Sequence, residues 1–158
     1  MENSNGVISF EKSVGAVVFR KSDGAVMYLL LHYPSGHWDF SKGHVEKGEK
    51  DDDTLCREIS EETGITDLAI LPDFSAQIRY FYQAGEEEKQ KRKKTGKSAN
   101  VMKKVVYYLA ETKTKNVKIS PEHIGFEWLG YKDALARITY KNGKEVLKKA
   151  DKHLKSVL

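Results

Sequence analysis

The amino-acid sequence predicts one layered α/β or α+β domain, and three observations carry that expectation. The chain has 158 residues, the size of a single compact unit. Of these, 39% are hydrophobic, enough to build a sizeable core. Strand-like runs are interspersed with two or three helical ones, and no internal repeat or Pro/Gly/Ser-rich linker divides residues 1–158.

Residues 13–20 hold Val14, Val17, Val18 and Phe19, a β-rich composition, and Ser22-Asp23-Gly24 reads as the turn after them. Residues 26–32 are almost continuously apolar, the pattern of a strand buried on both faces, so the two runs form a hairpin. Pro34-Ser35-Gly36 breaks the pattern, and residues 43–48 read as a loop. Residues 50–63 contain no Gly or Pro and place Leu55 and Ile59 four apart. Gly64 follows, where a helix C-cap glycine belongs. This helix should bury one narrow stripe and leave its carboxylate-rich face outside. Further strands are expected at 68–71, 75–82, 105–110 and 126–129, and a short helix at 133–138. Asn142-Gly143 reads as a turn, and a last helix over 144–157 places Val146, Leu147, Ala150, Leu154 and Val157 on one face.

The net charge of +4 hides two opposed regions. Residues 89–104 carry eight Lys/Arg and no acid, which leaves the rest of the chain at −4. Such a stretch predicts a mobile basic loop at about 84–102 rather than packed structure. It is either a solvated tip or a lid that gathers polyphosphates or RNA by charge. One cysteine, Cys56, excludes an internal disulfide and a cysteine-only metal cage. The apolar run at 26–31 is six residues, against the roughly 20 of a membrane helix. Met-Glu-Asn-Ser-Asn at the start shows no secretory signal, so a soluble, cytoplasmic chain is expected.

On a helix, Glu58, Glu61 and Glu62 are i, i+3 and i+4, so three carboxylates share one face. Like charges at that spacing repel, and a hard divalent cation with oxygen ligands offsets the repulsion. Mg²⁺ or Mn²⁺ suits carboxylate, water and phosphate oxygens. A solvated acidic surface is the commonplace alternative for an isolated E-x-x-E-E. Here the spacing is longer: Gly43, five residues, Glu49, seven residues, Arg57-Glu58-Ile59, then Glu61-Glu62 and Gly64-Ile65. Seven fixed positions at ~7% each arise by chance at roughly one in 10⁸ start sites.

This string resembles the Nudix box without a departure, Ile59 and Ile65 filling its aliphatic positions. The resemblance implies a Nudix-type α/β/α sandwich with a mixed β-sheet, and hydrolysis of a nucleoside diphosphate linked to another moiety. It implies Mg²⁺ or Mn²⁺ on Glu58, Glu61 and Glu62, with the carbonyl of Lys42 joining them. His37-Trp38 followed by Lys42-Gly43-His44-Val45 resembles the asymmetrical diadenosine tetraphosphate hydrolases. Asp39-Phe40-Ser41 stands where that branch usually has a proline just before the lysine.

Ser120-Pro121-Glu122-His123 resembles a segment of the same hydrolases, which makes Glu122 a ligand or general base. Glu58, Glu122, Arg57, His37 and Lys42 are therefore the candidate catalytic residues. Arg57 and Glu49 are of opposite sign and tie the loop to the helix. Lys42 and His37 are expected to neutralise phosphate charge or stabilise the leaving oxygen. The resemblance further makes Lys103 a polyphosphate contact and Tyr82 and Tyr140 the stacking partners of adenine. The expected partner is a dinucleoside polyphosphate or related nucleotide substrate, and the expected state is a monomer; no membrane partner is expected, and nucleic acid is not favoured. Inositol pyrophosphates, RNA 5′ ends and a non-catalytic nucleotide-binding module are the alternative readings.

Overall fold

Val14, Val17, Val18 and Phe19 lie in β1 (Ser9–Ser22), the strand about which the sheet is organised. The computed structural model describes residues 7–158; the N-terminal residues read above for a secretory signal lie outside them. β1 turns at Asp23 (φ 49°) and Gly24 (φ 81°) into β2 (Ala25–His32), with which it pairs antiparallel. Two successive positive φ angles match the twist of a tight hairpin. β3 (Trp38–Asp39) pairs with β2, and β4 (Ser41–His44) with β1, both antiparallel. Strand β4 overlaps the expected loop at 43–48, a stretch that carries no strand pattern of its own.

Helix α1 (Asp51–Thr63) ends on Gly64 in the left-handed conformation, φ 75°. β5 (Ala69–Ile70) and β6 (Ala76–Gln83) follow. After α2 (Glu86–Lys94) comes β7 (Asn100–Glu111), which pairs parallel with β1 from Ser9↔Val101 to Phe19↔Glu111. β5 and β6 flank β7 antiparallel, and β8 (Gly125–Leu129) pairs antiparallel with β2, completing a mixed eight-stranded sheet. The chain closes with α3 (Tyr131–Arg137) and α4 (Lys141–Val157).

Alternation along β1 gives each face of the sheet its own core. Val14, Ala16 and Val18 meet Leu55 and Ile59 of α1 on one side. Val17, Phe19, Tyr28 and Tyr107 meet Ala134 of α3 and Val146, Leu147, Ala150 and Leu154 of α4 on the other. The result is the α/β/α sandwich with a mixed sheet. No helix among the described residues is long and apolar enough to cross a membrane.

Three local expectations are corrected. The basic excursion at 84–102 is not a structureless loop, because its charges are ordered as a helix needs them. Glu86, Glu87 and Glu88 occupy the first turn of α2 and Lys91, Arg92, Lys93 and Lys94 the last, complementing the helix dipole. Arg92 is buried, its Nη1 donating to Glu11 at 2.7 Å and its Nε to the Ser98 carbonyl at 2.6 Å. Asn142-Gly143 is not a turn but the first turn of α4, where Gly143 lets the helix start close to Ile138. The carboxylate face of α1 is left outside only in part: Glu61 is exposed, whereas Glu62 is only 7% exposed.

Candidate active site

Strand β4 divides the site. Its alternation sends Ser41 and Gly43 toward α1 and Lys42 to the opposite side. On the α1 side the Ser41 hydroxyl donates to Glu62, and Gly43 lies flat against Glu58, its α-carbon too close for any side chain. A cavity of about 300 Å³ opens there, lined by Glu58, Glu61 and Glu62 together with Ser120, Pro121 and Glu122. Glu122 reaches it from the loop before β8. Resemblance alone points to this residue in the sequence, and the fold brings it to the helix carboxylates.

Arg57 ties this cluster to the loop ahead of α1. Its Nε and Nη2 fork onto Glu49 at 2.7 and 2.9 Å, Nη2 also donates to the His44 carbonyl at 3.1 Å, and Nη1 donates to Glu58 at 2.8 Å. Glu61, 61% exposed at its side chain, sits 3.4 Å from the same Nη1. The Arg57 fork holds the Glu49 carboxyl down at about 2. Burial acts oppositely on the neighbouring acids. It pushes Glu62 up to about 7, with the charges of Glu58 and Glu122 adding to the rise and the Ser41 hydroxyl opposing it. Burial raises Glu58 as well, against the pull of Arg57.

A second cavity, about 530 Å³, lies on the Lys42 side of β4. His37, Lys42 and Tyr140 line it with Asp39, Tyr80 and Asn142. His37 is the hub: it stacks on Tyr33 at 4.5 Å, lies 5.4 Å from Tyr140, and Ser35 Oγ is 2.6 Å from its Nδ1. Tyr33 in turn meets His123 edge-on at 4.7 Å, and His123 Nε2 is 4.0 Å from Glu62. A row of rings thus connects the aromatic cavity to the carboxylate one.

Tyr82 does not line this cavity. Tyr80, two residues earlier on the same face of β6, does so, while the Tyr82 hydroxyl donates to Glu88 of α2 at 3.3 Å. Strand alternation makes both tyrosines available; which one faces the cavity depends on where α2 sits. Lys103 is half-buried beside Tyr80 in the register of β6 and β7, and burial, then the charge of Lys42, lowers its pKa. Sequence reasoning gave Asp39 no role. It is buried, its carboxylate accepting the Phe40 amide at 2.8 Å and lying 3.3 Å from Lys42 Nζ.

The family model described as NUDIX domain matches residues 9–150. The chain belongs to the Nudix family. It is a Nudix phosphoanhydride hydrolase, of the kind that generally uses divalent metals. The asymmetrical bis(5′-nucleosyl)-tetraphosphatase of Mus musculus is 36% identical over 133 residues, 80% of each chain. The RNA pyrophosphohydrolase of Helicobacter pylori is 30% identical over 113 residues, 65% of this chain and 64% of its own. The crystal structure of a C. elegans Ap4A hydrolase binary complex superposes with a TM-score of 0.74 at 32% identity, covering 92% of this chain and 98% of that one.

The Nudix helix here fits a divalent cation by its donor chemistry: four carboxylates line one cavity, and Glu62 is driven toward neutrality by burial and like charge. Among the described residues no three of these groups are already drawn together as a ligand set.

Proposed function

We propose that this Nudix hydrolase cleaves diadenosine tetraphosphate to ATP and AMP, using Mg²⁺ or Mn²⁺ held by Glu58, Glu61, Glu62 and the Lys42 carbonyl. The observation that carries the reading is the adjacency of an acidic cavity and an aromatic, lysine-bearing cavity across the single strand β4. One suits a cation-bound phosphate chain, and the other a base with its nearest phosphate. The similarity to the mouse and C. elegans proteins supports the same substrate class.

Glu58, Glu61, Glu62 and the Lys42 carbonyl would hold the cation, which when bound would supply polarisation of the phosphoryl oxygens and a lowered pKa for an attacking water. Glu122 takes the water proton as the water oxygen bonds to phosphorus, and the bond from that phosphorus to its bridging oxygen breaks. Lys42 offsets the charge that develops on the leaving phosphate, and Lys103 holds the chain beyond it. Arg57 positions Glu58 without touching substrate. Tyr140 and His37 stack the adenine, with Tyr80 walling the cavity; Tyr82 serves the seating of α2. The intact carboxylate set speaks against a binding-only module.

The alternative substrate is a triphosphorylated RNA 5′ end, favoured by the similarity to the H. pylori protein. Incubating the protein and Mg²⁺ with a panel of dinucleoside polyphosphates, inositol pyrophosphates and triphosphorylated RNA, products resolved by ion exchange, tests the proposal. ATP and AMP in equal amounts from diadenosine tetraphosphate are expected. Preference for any other member of the panel overturns the substrate assignment.

A further inference from the structure

The sheet face that packs on α1 continues past the helix, where β1, β7 and β6 run side by side in the open. Their register lays Phe10, Met102 and Phe81 in one row and Lys12, Lys104 and Arg79 in the next. Phe10 is 79% exposed and Phe81 50%. In the row on the other side, Gln83 and Asn100 are joined by an amide hydrogen bond of 3.2 Å. They line a cavity of about 650 Å³ with Lys89, Lys93 and Lys97. Two outward phenylalanines therefore stand between two banks of cations. Asp51, 2.8 Å from Lys12, and Glu86, at the cavity wall, are the acids that face the strip. Lys104 and Arg79 enter no ion pair among the described residues.

We infer that this sheet face binds single-stranded nucleic acid, bases stacking on Phe10 and Phe81 while phosphates run along Arg79, Lys104 and the lysines around α2. Free aromatic faces stack bases of any sequence, and flanking cations track the backbone. An open sheet with exposed aromatics is a recurrent platform for this task. The face is the reverse of the one holding Tyr80 and Lys103, since adjacent residues of β6 and β7 point to opposite sides. It is therefore separate from the aromatic cavity, and lies on the α1 side of the sheet beyond the helix. A membrane would take the same aromatics and cations, but the Gln83–Asn100 amide pair and the lysine-lined recess offer hydrogen bonds suited to bases and phosphates. A twofold contact between two copies would set these cation rows against each other.

Fluorescence anisotropy of a labelled oligouridine with the full chain tests the inference. Binding at low salt is expected with Kd between about 1 and 100 µM, as for sequence-independent contacts. Phe10→Ala with Phe81→Ala should weaken it at least about tenfold. Arg79→Ser with Lys104→Ser should flatten the dependence of log Kd on log salt by about 1.4, or 0.7 per lost single-strand phosphate contact. All four side chains lie on the surface, so unchanged thermal unfolding establishes that the variants fold. Absence of binding at low salt, or equal binding by the phenylalanine variant, overturns the inference. Two other results overturn it as well. One is capture on phosphatidylserine vesicles that needs Phe10 and Phe81 while RNA binding needs neither. The other is a dimer in sedimentation that those substitutions dissolve.

Discussion

Gly43 and Glu58 are packed so closely that a β-carbon on residue 43 would fall 1.9 Å from the Glu58 carboxyl carbon. Gly43 is absent from the positive-φ residues, so it is required for this close approach rather than for an unusual backbone conformation. Gly48, at φ 83°, has the conformational requirement instead.

Gly43→Ala should therefore displace Glu58 from the acidic cavity while leaving both cores untouched. Loss of one charge-stabilising group costs roughly 10²-fold in kcat. The expected outcome is a fall of that size with KM changed little, measured on diadenosine tetraphosphate at saturating Mg²⁺. Full activity would mean that Glu58 is dispensable.

Glu62 links the site to stability. Its carboxyl is raised from 4.5 to about 7, chiefly by burial, so between those values the folded protein holds a proton that the unfolded chain has released. Stability of the metal-free protein should then fall as pH rises through that window, by up to about 3 kcal/mol. Glu62→Gln should flatten the slope, and Mg²⁺ should raise Tm more at pH 8 than at pH 5, if Glu62 is a ligand. Calorimetry across the pH range reads all three. The same substitution should lower kcat at least ~10²-fold with the fold intact.

How much of this is legible in the chain depends on whether the determining interactions are local. Glu58, Glu61 and Glu62 share a face by helix geometry alone, and Gly64 marks the helix end. Glu122, remote in sequence, is reachable only through the resemblance. Helix α2 escapes notice because its signal is charge order, three acids followed by five bases, with no apolar stripe. Ser41 and Asp39 are hidden for another reason. Their roles arise from the alternation of β4 and from the seating of β3, and neither short strand has a hydrophobic pattern of its own. The Ser41 hydroxyl, standing where proline is usual, supplies a bond to Glu62 that proline has no group to make.

The two tyrosines should separate. Tyr140 is 54% exposed at the cavity rim beside His37, whereas Tyr82 is engaged with Glu88. Tyr140→Ala should raise KM about tenfold, the low end of a base-stacking contribution, and the effect should survive high salt because stacking is not screened. Tyr82→Ala should leave KM within about twofold and instead loosen α2, seen as faster amide exchange in residues 86–94. Equal KM effects from both would restore Tyr82 to the clamp.

Arg57→Lys is the sharpest test of the site's scaffold. A lysine keeps the charge but not the planar fork, so it can satisfy Glu49 or Glu58 and not both with the present geometry. The loop joining β4 to α1 should loosen, and Glu58 should lose its orientation. Charge-assisted bonds of this kind are about twice as strong as neutral ones, so a drop in Tm of several degrees and a fall in kcat of about tenfold or more are expected. The acid limb of the stability curve carries a further signature. Glu49 titrates near 2 when folded and at 4.5 when free, so its contribution is present above 4.5 and is lost as pH falls toward 2. Arg57→Lys should move the folded value back toward 4.5 and make that limb shallower, while the fall between 4.5 and 7 that belongs to Glu62 stays. An unaltered acid limb in the variant would show that the fork is not what holds Glu49 ionised.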